Sequence, residues 1–109
     1  MPVFSQGDIV MMNFSPQAGH EQAGRRPALV ISNRDFYRYT RMAIVCPITS
    51  KNKDFPMHVK LDERTKIVGE ILCEHVKSLD LDARQAVFVE RIPDDLLGEV
   101  LERIHISIE

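Results

Sequence analysis

The stretch Pro27-Ala28-Leu29-Val30-Ile31-Ser32 is a continuous apolar run that lies between Arg26 and Asn33. Such a run is typical of a strand that is buried on both faces. Pro27 is expected to begin the strand, because the missing N–H of a proline matters least at that position. The sequence therefore predicts a fold organised around one buried strand over Pro27–Ser32.

Other segments of the chain also have the composition of strands. They are apolar runs or alternate apolar with polar residues, and turn-forming residues separate them. Pro47 lies inside one of them and predicts an edge or a bulge at that point. The tail His105–Glu109 alternates as well and predicts a short additional strand. The five main segments are Asp8–Phe14, Met42–Ile48, Pro56–Leu61, Val68–Val76 and Gln85–Arg91.

Two segments predict helices. Asn33–Thr40 has room for about two turns. A longer helix is expected after Ile92, with Pro93 at its first position and Asp94 and Asp95 in its first turn. Its apolar residues form one stripe at helical spacing, namely Leu96, Leu97, Val100, Leu101 and Ile104. Strands first and a helix last predict a mainly β fold: a small, curved antiparallel sheet or barrel with a short helical segment between strands and a C-terminal α-helix.

The composition is that of an ordinary globular protein. The chain has 109 residues, of which 44% are hydrophobic and 28% charged, so a single domain over residues 1–109 is expected. No apolar run approaches the roughly 20 residues that cross a bilayer, and residues 1–14 lack the pattern of a secretory leader. A cytoplasmic protein without a membrane partner is therefore predicted.

Charge is distributed unevenly along the chain. The net charge is −2, but residues 25–66 carry ten basic and four acidic side chains, whereas residues 70–109 carry four basic and ten acidic ones. The first region has a net charge of +6 and the second of −6. An anionic ligand is therefore expected to bind the first region, although two solvated faces would give the same pattern.

The cysteines and histidines give little indication of a metal site. Cys46 and Cys73 lie in apolar runs and are expected to be reduced, buried core residues. A zinc site would recruit His75 beside Cys73, but two ligands do not make a site. His75 is expected to be partly buried, His58 to be an exposed strand residue, and His105 to lie near the end of the helix.

A glycine-bracketed loop leads into two arginines at the start of the buried strand, in Gly19-His20-Glu21-Gln22-Ala23-Gly24-Arg25-Arg26-Pro27. Because side chains alternate along a strand, Arg25 and Arg26 are not expected to face the same ligand. A guanidinium group suits bidentate contact with phosphate. The polar cluster Thr49-Ser50-Lys51-Asn52-Lys53 ends another predicted strand, so Arg26 and Thr49 could surround one phosphate. A surface salt bridge for Arg26 and an ordinary strand end for Thr49 are the alternatives.

The aromatic residues between these two clusters have more than one possible role. Phe36, Tyr37 and Tyr39 could stack on bases. Core packing or a contact between subunits explains them equally well.

The order of these strings resembles the MazF/PemK family of toxin endoribonucleases, also called mRNA interferases. The resemblance rests on GDIV at Gly7–Val10, GHEQAGRRPALV at Gly19–Val30, VCPITS at Val45–Ser50 and VKSLD at Val76–Asp80, and it extends from Gly7 to about Ile104. Some members carry Trp where this chain has Met11, and an acid where it has Asn13. The resemblance implies an SH3-like antiparallel barrel of the PemK/CcdB type with a C-terminal helix.

The resemblance also implies residue roles and partners. The catalytic arginine and threonine of the family fall on Arg26 and Thr49, and the loop glutamate falls on Glu21. Single-stranded RNA, a MazE-type antitoxin with an acidic segment and a second copy of the chain are the implied partners, and neither a metal nor another cofactor is implied. The residues expected to bind RNA are His20, Gln22, Arg25, Ser50, Lys51, Lys53, Lys77 and Ser78.

The chemistry that the resemblance implies is attack of a ribose 2′-hydroxyl on the adjacent phosphate, which gives a 2′,3′-cyclic phosphate and a 5′-hydroxyl end. Arg26 and Thr49 would stabilise the charge that grows on the phosphate oxygens. Glu21 and His20 are the candidate bases, because a guanidinium group has almost no neutral form. Two alternatives are a barrel toxin of the CcdB type that poisons a protein such as gyrase, and an RNA-binding barrel that leaves RNA intact.

Overall fold

The computed structural model describes residues 3–14 and 24–109, and within them a sheet of seven strands, two α-helices and one 3-10 helix. Short loops connect most of these elements in chain order. No helix in this part of the chain is long and apolar enough to cross a membrane. The elements are β1 (Asp8–Asn13), β2 (Arg25–Val30), α1 (Arg34–Thr40), β3 (Ala43–Thr49), β4 (His58–Lys60), β5 (Glu70–Leu72), the 3-10 helix (Cys73–His75), β6 (Lys77–Leu79), β7 (Val87–Arg91) and α2 (Asp94–Ser107).

The sheet is antiparallel and runs in the order β4-β5-β3-β2-β1-β7, with β6 also paired to β3. β3 is the central strand, because its first half pairs with β6 and its second half with β5, while β2 pairs along its other side. The prediction of a mainly antiparallel β fold with a C-terminal helix is confirmed. The predicted strand over Val68–Val76 is wrong as one element, because the chain turns through the 3-10 helix between β5 and β6.

Pro27 and Pro47 both differ from prediction in their positions within the sheet. β2 begins at Arg25, so Pro27 is its third residue, and its pairing with β3 is found only from Ala28 onward. Pro47 lies within the central strand and not at an edge. On the side of β3 that faces away from β2, residues 43–45 pair with β6 and residues 48–49 pair with β5. The missing N–H of Pro47 therefore lies in the gap between two partner strands, where no ladder hydrogen bond is lost.

The two helices form where local sequence signals place them. The side chain of Asn33 accepts a hydrogen bond from the Phe36 N–H at 2.9 Å and so caps α1. α2 begins at Asp94, so Pro93 is its N-cap residue and not, as was predicted, its first helical residue. α2 continues to Ser107, so the predicted strand over His105–Glu109 is wrong. The last turn is helical although it buries no apolar residue after Ile104, since Ile106 and Ile108 are 64% and 76% exposed.

Two apolar clusters cover the two faces of the sheet. The first, defined by Ile9, Leu29, Cys46 and Ile48, packs against α2. The second, defined by Met12, Phe14, Ala28, Val30 and Val45, packs against Tyr37 of α1. Because side chains alternate along each strand, a residue's position in β1, β2 or β3 determines which cluster its side chain joins.

The aromatic side chains of α1 differ in their surroundings. Tyr37 is fully buried and packs edge-on against Phe4, with ring centroids 5.6 Å apart, which agrees with core packing. Tyr39 is 88% exposed. Of these two tyrosines, only Tyr39 presents its ring to solvent and could contact a base or another protein.

Candidate active site

Arg26 and Thr49 lie at the same end of neighbouring strands. Ala28 pairs with Pro47 in the last recorded pair of the β2–β3 ladder at this end, and Arg26 and Thr49 each lie two residues beyond that pair. Residues that face each other across such a pair have side chains on the same side of the sheet. By alternation from Ala28 and Pro47, both residues therefore point to the face that carries the second apolar cluster, at the same end of the sheet.

The immediate surroundings of these two residues differ. Arg26 is half-buried, whereas Thr49 is only 3% exposed. The Thr49 hydroxyl accepts a hydrogen bond from the Lys51 N–H at 3.2 Å. An oxygen that accepts a hydrogen bond still has its own hydrogen to donate, so Thr49 can donate to a phosphate oxygen beside the guanidinium group of Arg26.

Lys77 lies on the same face of the sheet. It pairs with Val45 of β3, which precedes Thr49 by four residues and therefore points to the same face. The Nζ atom of Lys77 lies 5.8 Å from the ring centroid of Phe14. Phe14 follows β1 directly and belongs to the second apolar cluster. We refer to Arg26, Thr49, Lys77 and Phe14 as the arginine–threonine site. It combines two positive charges with a hydroxyl group on an apolar base, which is suited to binding a phosphate group.

Arg25 and Ser78 lie on the opposite face. Arg25 donates to the side-chain oxygen of Asn13 at 3.3 Å and to the carbonyl of Met11 at 3.2 Å. Ser78 pairs with Ile44, which packs on the first apolar cluster. The fold therefore separates Arg25 from Arg26, as strand alternation predicts, and it also separates Ser78 from Lys77.

The basic residues after β3 form an exposed loop next to the site. Ser50, Lys51 and Lys53 are all exposed, and a shallow pocket of about 170 Å³ lies between residues 50–52 and the segment 68–70. This loop is continuous with Thr49 and carries two of the lysines that the sequence assigns to RNA. The predicted residues His20, Glu21 and Gln22 lie outside the described residues.

The sequence did not reveal a chain of three hydrogen-bonded side chains beside this loop, two of which, His58 and Glu70, are buried. His58 was expected to be exposed, but its side chain is only 3% exposed. Its Nδ1 lies 2.9 Å from an oxygen of Glu70, and its Nε2 lies 2.7 Å from an oxygen of Glu74. The β4–β5 register places His58 diagonally across from Glu70, and no local sequence pattern signals a pairing between residues 12 positions apart.

The pKa of Glu70 reflects its surroundings. Burial by itself would raise the pKa of this carboxyl group, but hydrogen bonds from His58 and from the N–H groups of Asp54 and Lys53 outweigh burial and lower it. Glu70 is therefore held as a carboxylate, which accepts hydrogen bonds.

The cysteines are core residues, as predicted. Cys46 and Cys73 are both free and buried, and burial raises the pKa of both thiols, that of Cys73 to about 11. His75 is exposed, so its predicted partial burial is wrong; it belongs to the 3-10 helix and not to a strand. Within residues 3–14 and 24–109, no three His, Cys, Asp or Glu side chains are grouped so that they could hold a metal ion.

Comparison with known proteins identifies the family. The small antiparallel sheet carries an arginine and a threonine hydroxyl on one face at one end, an arrangement suited to contact with an anionic ligand. Residues 5–108 match the model of the PemK-like, MazF-like toxins of type II toxin–antitoxin systems. The chain therefore belongs to the PemK/MazF toxin family.

Relatives with curated names support this membership. The chain is 34% identical to the endoribonuclease PemK of Escherichia coli over 103 residues, covering 91% of this chain and 77% of that protein. It is 35% identical to the E. coli endoribonuclease toxin ChpB, with 97% and 95% covered, and 32% identical to the endoribonuclease EndoA of Bacillus subtilis, with the same shares covered. The chain is accordingly a member of a family of enzymes.

Solved structures agree in fold. MazF of Deinococcus radiodurans superimposes with a TM-score of 0.92 at 39% identity, covering 99% of this chain and 98% of that one. A MazE–MazF complex from the same organism superimposes with a TM-score of 0.87 at 32% identity, with 99% and 97% covered.

Proposed function

We propose that this chain is a sequence-specific endoribonuclease toxin that cleaves single-stranded RNA, such as messenger RNA, without a metal ion. The observation that carries the proposal is the placement of Arg26 and Thr49 on one face at one end of β2 and β3. The relatives named endoribonuclease support the reaction class.

The reaction that this pair suits is an internal transesterification. The ribose 2′-oxygen forms a bond to phosphorus, and the bond from phosphorus to the 5′-oxygen breaks. The 2′-hydroxyl loses its proton to a base and the 5′-oxygen gains one, which gives a 2′,3′-cyclic phosphate and a 5′-hydroxyl end. Negative charge grows on the nonbridging oxygens, and the Arg26 guanidinium and the Thr49 hydroxyl donate hydrogen bonds to them.

The proton acceptor belongs to a different part of the chain. A guanidinium group stays protonated at ordinary pH, so Arg26 stabilises charge and does not remove the proton. Glu21 and His20 carry groups that can accept a proton, and both precede Arg26 by a few residues in the segment 15–23. We assign the role of base to one of these two residues.

Binding of the RNA strand is assigned to the basic residues around the site. Lys77 lies within the arginine–threonine site, and Lys51 and Lys53 lie on the loop that follows Thr49. Contacts of this kind neutralise phosphates and release counterions, so affinity is expected to fall as salt concentration rises. Arg25 and Ser78 point away from this face, and we assign them at most to the outer part of the bound strand.

Cleavage in EDTA tests the proposal. When the purified protein is incubated with a long RNA of mixed sequence, we expect discrete cuts with 5′-hydroxyl ends, because no metal ion takes part in the reaction. Mapping the ends gives the recognised sequence in the same experiment. Intact RNA after long incubation, with or without Mg²⁺, would contradict the proposal and direct attention to a protein target, as for gyrase poisons of the CcdB type.

A MazE-type antitoxin is the proposed protein partner, since solved relatives are complexes of MazE with MazF. The basic region 25–66 is where an acidic segment is expected to bind. Such a segment and RNA would then compete, so adding the antitoxin should weaken RNA binding in proportion to its occupancy. Fluorescence anisotropy of a labelled RNA measures this, and simultaneous binding without mutual weakening would contradict the overlap.

A homodimer is the proposed assembly. Val87 and Phe88 of the outermost strand β7 are 57% and 52% exposed. Apolar side chains exposed on an edge strand favour association.

A further inference from the structure

The buried carboxylate of Glu70 is bonded directly to the basic loop. Glu70 pairs with Thr49 across β3 and β5 and is 3% exposed. Its Oε2 atom accepts hydrogen bonds from the backbone N–H groups of Lys53 at 3.1 Å and Asp54 at 3.4 Å. Glu70 is therefore the strand neighbour of Thr49, and its carboxylate contacts the far end of residues 50–54.

His58 and Glu74 hold this carboxylate in place. His58 is bonded through Nδ1 to Oε1 of Glu70, so the two oxygens of Glu70 have separate partners. The other ring nitrogen is bonded to Glu74 in the 3-10 helix. The ring of Phe55 packs edge-on against His58, with centroids 5.1 Å apart. A side chain bonded at both oxygens and enclosed by packing has little freedom to change rotamer.

The loop itself has no regular ladder to define its shape. Asp54 has a φ of 50°, in the left-handed region that aspartate adopts only at some cost. At its other end the loop is fixed by the hydrogen bond from the Lys51 N–H to the Thr49 hydroxyl. Residues 50–54 are thus tied to the site residue Thr49 at one end and to Glu70 at the other.

We propose that Glu70, supported by His58 and Glu74, is a positioning residue that holds residues 50–54 so that Lys51 and Lys53 meet the phosphates of a bound RNA strand. The inference rests on the proposed RNA-cleaving function and adds to it a group that never touches RNA. A loop ordered before binding loses less conformational entropy when RNA binds, so the contribution of Glu70 appears in binding more than in the chemical step.

Glu70→Gln tests the proposal, because glutamine has the same shape but lacks the charge that strengthens these hydrogen bonds. We expect KM for RNA to rise about tenfold while kcat stays within about threefold, the pattern of lost ground-state binding. Exchange of the Lys53 and Asp54 amide hydrogens should accelerate at least about tenfold, because their acceptor is weakened. A role in global stability alone would instead leave KM of the folded fraction unchanged.

Glu90→Gln is the matched control. Glu90 on β7 also accepts hydrogen bonds from two consecutive N–H groups, those of Lys66 and Ile67, at 2.9 and 2.8 Å. It lies on the edge strand beyond β1, away from β3. We expect replacement of Glu90 to leave KM for RNA unchanged. This result would show that the rise in KM is specific to the loop held by Glu70 and does not follow from the loss of a loop-anchoring carboxylate in general.

A double-mutant comparison links Glu70 to the lysines. Replacing Lys51 and Lys53 together with alanine should raise KM less in the Glu70→Gln protein than in the original, because their contacts are already weakened. Fully additive effects would overturn the proposal. So would faster amide exchange with unchanged KM, or unchanged amide exchange.

A binding measurement distinguishes this inference from the proposed function. An RNA strand with 2′-deoxy sugars cannot be cleaved by 2′-hydroxyl attack, yet it keeps its phosphates. If the original protein fails to cut RNA, the proposed function fails, while the Kd for this strand still decides the role of Glu70. An equal Kd for the Glu70→Gln protein and the original would overturn the positioning role.

Discussion

Replacing Arg26 with alanine is expected to lower kcat for RNA cleavage by about 10²–10³-fold, the usual effect of removing one preorganised donor to a transition-state oxyanion. The guanidinium group lies at the end of β2, on the same face as the Thr49 hydroxyl. Alanine removes the charge and both arms of the fork, and no described neighbour on that face replaces them at the position opposite Thr49. The measurement is single-turnover cleavage of an RNA that contains the mapped cut site.

The fold is expected to survive this substitution. Arg26 is half-buried at the second position of its strand, so we expect the free energy of unfolding to fall by about 1 kcal/mol or less. Circular dichroism and thermal unfolding check this. A folded Arg26→Ala protein that cuts RNA at the normal rate would remove Arg26 from the catalytic role.

Arg34→Ala serves as the control for net charge. It removes the same charge from the same basic region, but Arg34 begins α1, beyond the opposite end of β2. Both variants should therefore weaken long-range attraction of RNA alike. We expect kcat to fall in the Arg26 variant alone, because of these two arginines only Arg26 lies on the same face and at the same end of the sheet as Thr49.

The Gly69→Ala protein is expected to lose more than about 3 kcal/mol of its free energy of unfolding, since several unfavourable effects coincide at one residue. Gly69 has a φ of 140°, a conformation that residues with a side chain rarely adopt. A Cβ atom there would overlap the carbonyl oxygen of Thr49 and lie 2.9 Å from its carbonyl carbon. Both atoms belong to the backbone, so β3 and the chain before β5 would have to separate.

The damage should extend to function. Gly69 precedes Glu70, which pairs with Thr49, so any separation of the two segments displaces the Thr49 backbone. We expect the fraction of Gly69→Ala protein that still folds to cleave RNA more slowly than the original. Urea unfolding followed by fluorescence or circular dichroism measures the stability, and a loss below about 1 kcal/mol would contradict the expected overlap.

Gly98→Ala provides a control with the opposite sign. Gly98 lies in the middle of α2, and an added Cβ atom meets nothing within 4 Å. Alanine is a better helix former than glycine by about 1 kcal/mol, so this protein should be more stable than the original. The same chemical change therefore stabilises one site and destabilises the other.

Much of the fold follows from local sequence patterns. The apolar run after Arg26 and the stripe of α2 are visible in the sequence, because burial of a strand or helix face requires such patterns. The errors occur where pairing overrides local preference. Pro47 is tolerated in a central strand because the pairing of β3 with β6 stops before this residue and the pairing with β5 starts after it. The chain over 68–76 bends because β5 and β6 pair with different halves of β3.

The candidate site was predicted unevenly for the same reason. Arg26, Thr49 and Lys77 could be singled out from motifs, and strand alternation predicted that Arg25 and Arg26 diverge. Ser78 was grouped with Lys77, although neighbours in a strand point to opposite faces. His58 was assigned to the surface because its partners Glu70 and Glu74 are distant in sequence.

The family, the order of strands before a final helix, and the two residues on which the proposed chemistry depends could all be predicted without a structure. These properties reside in contiguous strings and in the alternation of side chains along one segment. The folded structure was needed to find which side chains from different strands share a face and that Glu70 anchors residues 50–54. Which side chains lie opposite each other on two strands depends on the strand register. The hydrogen bonds by which Glu70 anchors residues 50–54 join groups 16 and 17 positions apart. Neither feature has a signature within a single segment of the sequence.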